Sequence, residues 1–424
     1  MAVDPRQVLA AFLTISMFAM LGNMIKKDHF DNAEVGLLTL SSEPDNTYSV
    51  MRVEDSEERK GSKVKEGPWS EYGQGLKTCW NKPAIMEAEQ PKGYITFSLT
   101  GGPEYHVSQL TDAVVIARYL GATLVLPDIR GSELGQKKNF EDMYDSDKFM
   151  RSMDGVIKIV KEVPAEVATE KPAVVRVPNR VSEDFIMANV EPIFRTKNYL
   201  RLATFFPSIN MKVREKRNDD LDSTACLAMF SSLELKPEIY EVAERMVERL
   251  KTISRKSDSH FIAVDLRVDI LEKKSCKESR DRGRKSCYSA QEIGDFLRKI
   301  GFNGDTTIYL TQTWWHESLN SLKEIFPKTY TKDDIIPADK KGAFLRSQSS
   351  ELEKALDFHI CSHSDVFVPA ISGLFYGNVA GKRIASGRTQ ILVPSQVRAS
   401  SAPASNFISA YVTKKNHLAY SCYC

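Results

Sequence analysis

The chain has 424 residues, 42% of them hydrophobic and 27% charged, with a formal net charge of +2. That length buries enough surface for two packed domains, and the near-zero charge gives no support to nucleic acid as a main partner. No internal repeat points to a solenoid.

Residues 8–25, VLAAFLTISMFAMLGNMI, form an uncharged apolar run between Arg6 and Lys26-Lys27. A bilayer-spanning helix takes about 20 such residues, so the run predicts a transmembrane anchor behind a short tail at 1–7. A cleaved signal peptide is the rival reading, but Asn23, Lys26 and Lys27 stand where its small-residue cleavage site belongs. Basic residues flank both ends, so the positive-inside rule leaves the orientation open. Residues 26–92 are polar and poorly periodic and read as a stem, with Trp69 and Trp80 placed to dock its last part on the domain.

From Gly93 the pattern alternates between strand and helix. Residues 94–99 read as a strand and 109–120 as a helix with Leu110, Ala113, Val114, Ala117 and Leu120 on one face. The apolar run 122–126 suits a parallel strand buried on both faces, and 156–160 and 173–177 read as further strands. Residues 237–253, opening on Pro237, form a strong amphipathic helix. A second series follows: strands at 261–266, 307–310, 366–369 and 389–393, and helices at 290–300, 317–326, 350–360 and from 374. Two α/β halves joined near 236–260 predict a cleft, and open α/β sheets bind ligands at the carboxyl ends of their strands.

Three strand ends carry candidate chemistry. At Thr100-Gly101-Gly102, glycine lets backbone approach a ligand, and the following helix N-terminus offers N–H groups to an anion; an ordinary tight turn explains the pair equally simply. In FIAVDLRVD, Arg267 ends a buried strand with Asp265 on the same face. Its planar donor fork suits phosphate, and a structural Arg–Asp pair is the plainer alternative. At the third, Asp365, the Ser372-Gly373 turn, Phe375 and Arg383 surround another strand-to-helix junction, where Asp365 suits a base or hydroxyl, or a turn.

The seven cysteines include no CxxC and no zinc spacing. Cys276 and Cys287 flank a basic loop and would close it as a disulfide in a luminal domain; free thiols are the alternative. Cys422-Tyr423-Cys424 ends the chain, and no N-x-S/T sequon occurs.

Taken together, GGPEYHVSQLTD, ARYLGATLVLPDI, DLR at 265–267, IYLTQTWW, SDVFVPAISG and GKRI resemble the plant O-fucosyltransferase-like family of glycosyltransferases over residues 93–395. Within that family the whole chain is similar to the branch concerned with mannan synthesis. The family's G-G-L-N-Q-M-R becomes Gly101-Gly102-Pro103-Glu104-Tyr105-His106-Val107 here, and its H-L-R histidine becomes Asp265. The resemblance implies an α/β, GT-B-like fold of two Rossmann-like domains facing across a cleft, at 93–235 and 261–395. A connecting helix at 236–260 joins them, the anchor and stem precede them, and a tail at 396–424 follows. It implies a single-pass type II Golgi membrane protein with a luminal catalytic domain. The expected activity is an inverting, metal-independent hexosyl transfer from a nucleotide-sugar, GDP-mannose or GDP-fucose, to mannan or glucomannan. Arg267 would hold the diphosphate, and Glu104 or Asp265 would be the base. Gly101, Gly102, His106, Asp365, Ser372, Gly373, Phe375 and Arg383 would bind the nucleotide-sugar, with no metal ligand and no further cofactor. The altered Glu104 segment also suits a non-catalytic partner that organises a mannan synthase, and a glycan-binding domain is the third alternative.

Overall fold

The computed structural model describes residues 76–83, 92–131, 137–207, 211, 219–255, 260–274, 286–345, 351–395 and 415–424. All belong to one compact unit, Lys65–Cys424. The expected anchor at 8–25, Trp69 and Cys276 lie outside the described residues. Among the described residues no helix is long and apolar enough to cross a membrane.

Two sheets organise the unit. The first is seven-stranded, with β1 (Tyr94–Thr100) at its centre. The first half of β1 pairs in parallel with β2 (Thr123–Val125) on one side and β7 (Tyr199–Phe205) on the other. Its last residues turn to pair with β3 (Asp128–Arg130). β5 (Ile159–Val160) extends β2 and β6 (Ala173–Pro178) extends β7, both in parallel. β4 (Lys137–Asn139) joins β3 antiparallel. The second sheet is all parallel: β8 (Phe261–Asp265) and β9 (Thr307–Leu310) lie between β10 (Thr329–Tyr330) and β11 (Val366–Pro369). Every residue of β8, β9 and β11 is buried, which is why these strands read as unbroken apolar runs.

The longer helices are α1 (Pro103–Leu120), α2 (Asp219–Phe230), α3 (Pro237–Ser254), α4 (Val268–Lys274), α5 (Ala290–Lys299), α6 (Glu351–His363) and α7 (Leu374–Ala385). α1 starts six residues before the predicted 109, at a proline suited to a first helical position. Its first turns escape the apolar pattern because they bury polar residues, Glu104, His106 and Gln109. The helix stops at Gly121, whose φ of 64° supplies the left-handed cap. α5 starts with a capping box in which Ser289 and Glu292 satisfy each other's backbone N–H.

Three sequence expectations change. Only Ile159–Val160 of 156–160 is strand, because Val156 and Ile157 N–H both turn back to Met153 O. The helix expected at 317–326 is a 3-10 turn, Glu317–Leu319, followed by Asn320–Ile325. No strand forms at 389–393. Ile391 N–H bonds Thr389 O in a tight local turn, leaving a single bridge to Phe367.

The hydrophobic core of the first sheet continues through Leu356 and Ile360 of α6 and Val379 of α7. One core therefore spans both halves, while the second sheet packs a further core of its own around Ile262, Ile308 and Val366. The Cys-Tyr-Cys end is part of the same construction. Cys422 ends the helical turn Ala419–Cys422 and bonds Cys226 of α2, while Cys424, beyond the extended Tyr423, bonds Cys79. Thr78 and Tyr423 pair as an antiparallel bridge between those disulfides, and Trp80 packs half-buried on the core. Cys287 is disulfide-bonded, to a partner outside the described residues. Cys361 is free and buried.

Candidate functional site

The carboxyl ends of β1, β8, β9 and β11 deliver side chains to one cleft of about 560 Å³. Glu104 and Tyr105 come from the start of α1, and Asp265 and Arg267 from the end of β8. Thr311 to Trp314 follow β9, Lys354 and Asp357 come from α6, and Ser372 to Phe375 follow β11. A larger cavity, about 860 Å³, lies against the far side of α1 and the disulfide-bonded tail, and no candidate site residue lines it. Strand ends, not volume, mark the ligand site in such folds.

Arg267 is the fixed cation of this cleft. Its Nε and Nη2 donate to the two carboxylate oxygens of Asp265 at 3.1 and 3.4 Å. Asp265 is fully buried, and Oδ1 also accepts from Thr311 Oγ1 at 3.1 Å. Phe375 backs the guanidinium, its ring centroid 5.1 Å from Cζ. Burial alone would lower the Arg267 pKa, but Asp265, Glu104, Asp357 and Asp269 outweigh it and raise it. The guanidinium is thus permanently charged, oriented on one edge and open on the other, while Asp265 is engaged as its support.

Glu104 lies opposite. It is buried, and its pKa is raised by desolvation, against the lowering effects of its own backbone N–H, Lys354 and Arg267. Among the described residues Glu104 Oε2 has no hydrogen-bond partner. A buried carboxylate oxygen without a donor is costly and is poised to take a proton.

The Gly-Gly pair now has a structural reason. Gly101 has φ of +94°, in the region glycine favours, and a Cβ there would meet the Tyr105 ring at 2.8 Å. At Gly102 a Cβ would meet Glu104 Oε2 at 2.7 Å and Lys354 Cδ at 2.8 Å. The close approach is by side chains: Lys354 Nζ donates to Gly101 O at 2.7 Å, and Asn378 Nδ2 to Glu104 O at 2.8 Å. Both tie the second half onto the start of α1. The turn at Ser372-Gly373 is held differently. Ser372 donates through both N and Oγ to Ser286 O, at 3.0 and 2.8 Å, and a Cβ at Gly373 would meet nothing within 4 Å.

Of the residues singled out in the sequence, Glu104, Asp265, Arg267, Ser372, Gly373 and Phe375 meet at the cleft, with Gly101 and Gly102 at its edge. Three do not. His106, in the first turn of α1, is fully buried, its Nδ1 2.7 Å from Tyr144 Oη. Asp365 precedes β11 and accepts from Phe261 N at 2.9 Å, at the amino end of the sheet, away from the cleft. Arg383 is fully buried and donates to the carbonyls of Cys361, Ser364, Asp365 and Gln390, so it is an internal peg.

Sequence reasoning missed the network under the floor. Lys332 is 1% exposed and its Nζ lies 2.8 Å from Asp357 Oδ2, while Tyr309 Oη donates to Asp357 Oδ1 at 2.7 Å. Burial pushes the Asp357 pKa up to about 6, against the lowering effects of Lys332, Tyr309 and Arg267. The strand-end rule applied to Thr311-Gln312-Thr313, directly after β9, would have found that wall; no local signal marks Lys332.

Two largely parallel sheets whose carboxyl ends converge on an oriented arginine define an α/β protein with fixed positive charge in its cleft. Residues 94–385 match the family model described as GDP-fucose protein O-fucosyltransferase, and the chain belongs to that family. It is 54% identical to Protein MANNAN SYNTHESIS-RELATED 1 of Arabidopsis thaliana over 426 residues, covering 100% of each chain. It is 49% identical to Protein MANNAN SYNTHESIS-RELATED of Trigonella foenum-graecum, again covering 100% of each. Among solved structures, POFUT1 in its apo form aligns with a TM-score of 0.44 and 16% identity, covering 73% of this chain and 99% of that one.

Proposed function

We propose that this protein is a Golgi glycosyltransferase that moves a sugar from a GDP-sugar to a mannan or glucomannan acceptor. Family membership supports the donor class, and the full-length similarity to mannan synthesis-related proteins supports the acceptor class. The observation that carries the reading is Arg267, held by Asp265 at the end of β8 with its guanidinium open to the cleft. In a single displacement the acceptor oxygen bonds to the anomeric carbon while the bond from that carbon to the diphosphate oxygen breaks. Charge builds on the departing diphosphate, where a preorganised guanidinium is worth most. The acceptor proton goes to Glu104, whose Oε2 is buried and unpartnered. The GT-B architecture, inversion and independence from metal belong to this reading. Disulfide bonds at Cys79, Cys226, Cys287, Cys422 and Cys424 support an oxidising, luminal setting, with residues 8–25 as a type II anchor.

The test is a panel of GDP-mannose, GDP-fucose and UDP-rhamnose, scored for binding, hydrolysis and transfer to mannan oligosaccharides by the purified chain. Transfer from a GDP-sugar is expected. Binding of no donor would reject the proposal. One observation favours a second reading. The carboxylate of Glu104, its charge favoured by its own backbone N–H, stands at the start of α1 where a phosphate would otherwise bind. A protein so altered would serve as a non-catalytic partner of a mannan synthase, and donor binding without hydrolysis or transfer would select that reading.

A further inference from the structure

Away from the cleft, two helices bring a second set of polar groups together. Glu244 of α3 and His359 and His363 of α6 place one carboxylate oxygen and two imidazole nitrogens within 4.8 Å of one another. His359 and His363 stand one helical turn apart, which stacks their rings at 4.0 Å between centroids. His359 Nε2 lies 2.6 Å from Glu244 Oε1. The Tyr240 ring meets His359 edge-on at 5.1 Å and fixes its plane. His363 Nδ1 is 2.8 Å from His359 O, so Nδ1 carries the proton and donates it, leaving the Nε2 lone pair bare. A backbone carbonyl in that role is the usual second partner of a metal-binding histidine.

We propose that Glu244, His359 and His363 form a Zn²⁺ site that clamps α3 to α6. Two imidazoles and one carboxylate, with a fourth position left to water, are a donor set suited to zinc. A simple His359–Glu244 hydrogen bond accounts for two of the three groups but not for a second neutral imidazole stacked on the first. Neutral imidazole is the form that binds metal. Burial, the neighbouring His363 and the Lys382 charge hold the His359 pKa down at about 4, against the raising effect of Glu244. Burial and the Arg388 and Lys382 charges lower that of His363, against its backbone bond and Glu244. Ligands about 2.1 Å from a tetrahedral ion lie roughly 3.4 Å apart, so the ring of His363 must close in while the one-third-exposed Glu244, 2.6 Å from His359 Nε2, backs away to admit the ion. On loading, neutral His359 changes tautomer, its proton passing by way of solvent from Nε2 to Nδ1, so that Nε2 binds the ion, and Glu244 changes from accepting that proton to binding the ion.

The test is a Zn²⁺ titration of the full-length chain, stripped of metal, at neutral pH against a chromophoric chelator, with circular dichroism as a check on folding. One Zn²⁺ per chain is expected. His363→Gln should weaken it at least about 10-fold, the loss already seen when an outer partner of a metal ligand is removed. Zn²⁺ should also raise the thermal midpoint of the natural chain and not that of the variant. If His363→Gln does not fold, Glu244→Gln takes its place and should show the same loss. No stoichiometric uptake by the folded chain, or uptake unchanged in the folded variant, overturns the proposal.

Discussion

The turns at Gly101-Gly102 and at Ser372-Gly373 follow the same local rule, a strand feeding a helix through glycine, but they present different faces to the cleft. At the first, Glu104 and Lys354 fill the space beside the glycine, and the protein's own carboxylate stands at the helix start. At the second, the space beside Gly373 is open within 4 Å, and Arg267 and Phe375 stand beside it. The second half is therefore arranged to receive an anion, and the first half to present a carboxylate to whatever is bound there. Glycine before a helix permits a ligand; the neighbouring side chains decide whether there is room for one.

The largest expected effect tests the second half. Arg267→Ala should lower transfer by about 10²–10³-fold, the loss typical of one preorganised donor, or on the order of 3–4 kcal/mol. Arg267→Lys should retain part of the activity, because it keeps the charge and loses the fork. Assays of both at matched folded yield check this; full activity in a well-folded Arg267→Ala would reject catalysis through this residue. The next effect tests the first half. Glu104→Gln preserves the shape but cannot take a proton, so kcat should fall by about 10²-fold with donor binding retained. Unchanged kcat would leave Glu104 with a structural role alone.

A third prediction compares what lies beneath each half. Burial first, then Lys354, lowers the His106 pKa from 6.5 to about 3, whereas Asp357 under the second half is held up at about 6. The unfolded chain protonates His106 near 6.5 and the folded chain only near 3. Its contribution is complete above 6.5 and is lost as pH falls through that window, by about 1.4 kcal/mol per pH unit. Asp357 runs the other way: its contribution falls as pH rises from its ordinary 3.8 to about 6. Urea unfolding at pH 6 and pH 5 should show that His106→Gln removes about 1.4 kcal/mol per pH unit of acid sensitivity. Parallel curves for the two proteins would refute it.

Much of this was legible in the sequence, and the physical reason is plain where it was not. β8, β9 and β11 are buried on both faces, so their apolar runs announce them. β7 alternates, with Leu200 and Leu202 buried and Arg201 between them, and gives a weaker signal. Arg267 was legible because a strand end fixes where a side chain points. Lys332, Lys354 and Asp357 were not, because a helix's rotation about its axis towards a cleft is set by packing. The error at Asp365 was avoidable: it precedes its strand, and the strand-end rule already excludes that end.

The smallest effect is also the most direct probe of the contact between the halves. Gly102 has φ of 160°, extended backbone that alanine adopts freely, so Gly102→Ala introduces no backbone strain. What it introduces is a methyl 2.7 Å from Glu104 Oε2 and 2.8 Å from Lys354 Cδ, and one of them must shift. If Lys354 shifts, its Nζ leaves Gly101 O and the tie between α6 and the first turn is lost. That bond joins an ammonium to a backbone carbonyl at a partly exposed site, so losing it should cost about 1 kcal/mol. Lys354→Ala should cost about the same, since it removes the same bond. The two costs should not add, because in the Lys354→Ala background the methyl finds the space already vacated. A double-mutant cycle by urea unfolding should therefore give a coupling of at least about 0.5 kcal/mol. Strictly additive costs would mean that Glu104, and not Lys354, yields to the methyl. Donor binding would then change in Gly102→Ala and remain normal in Lys354→Ala.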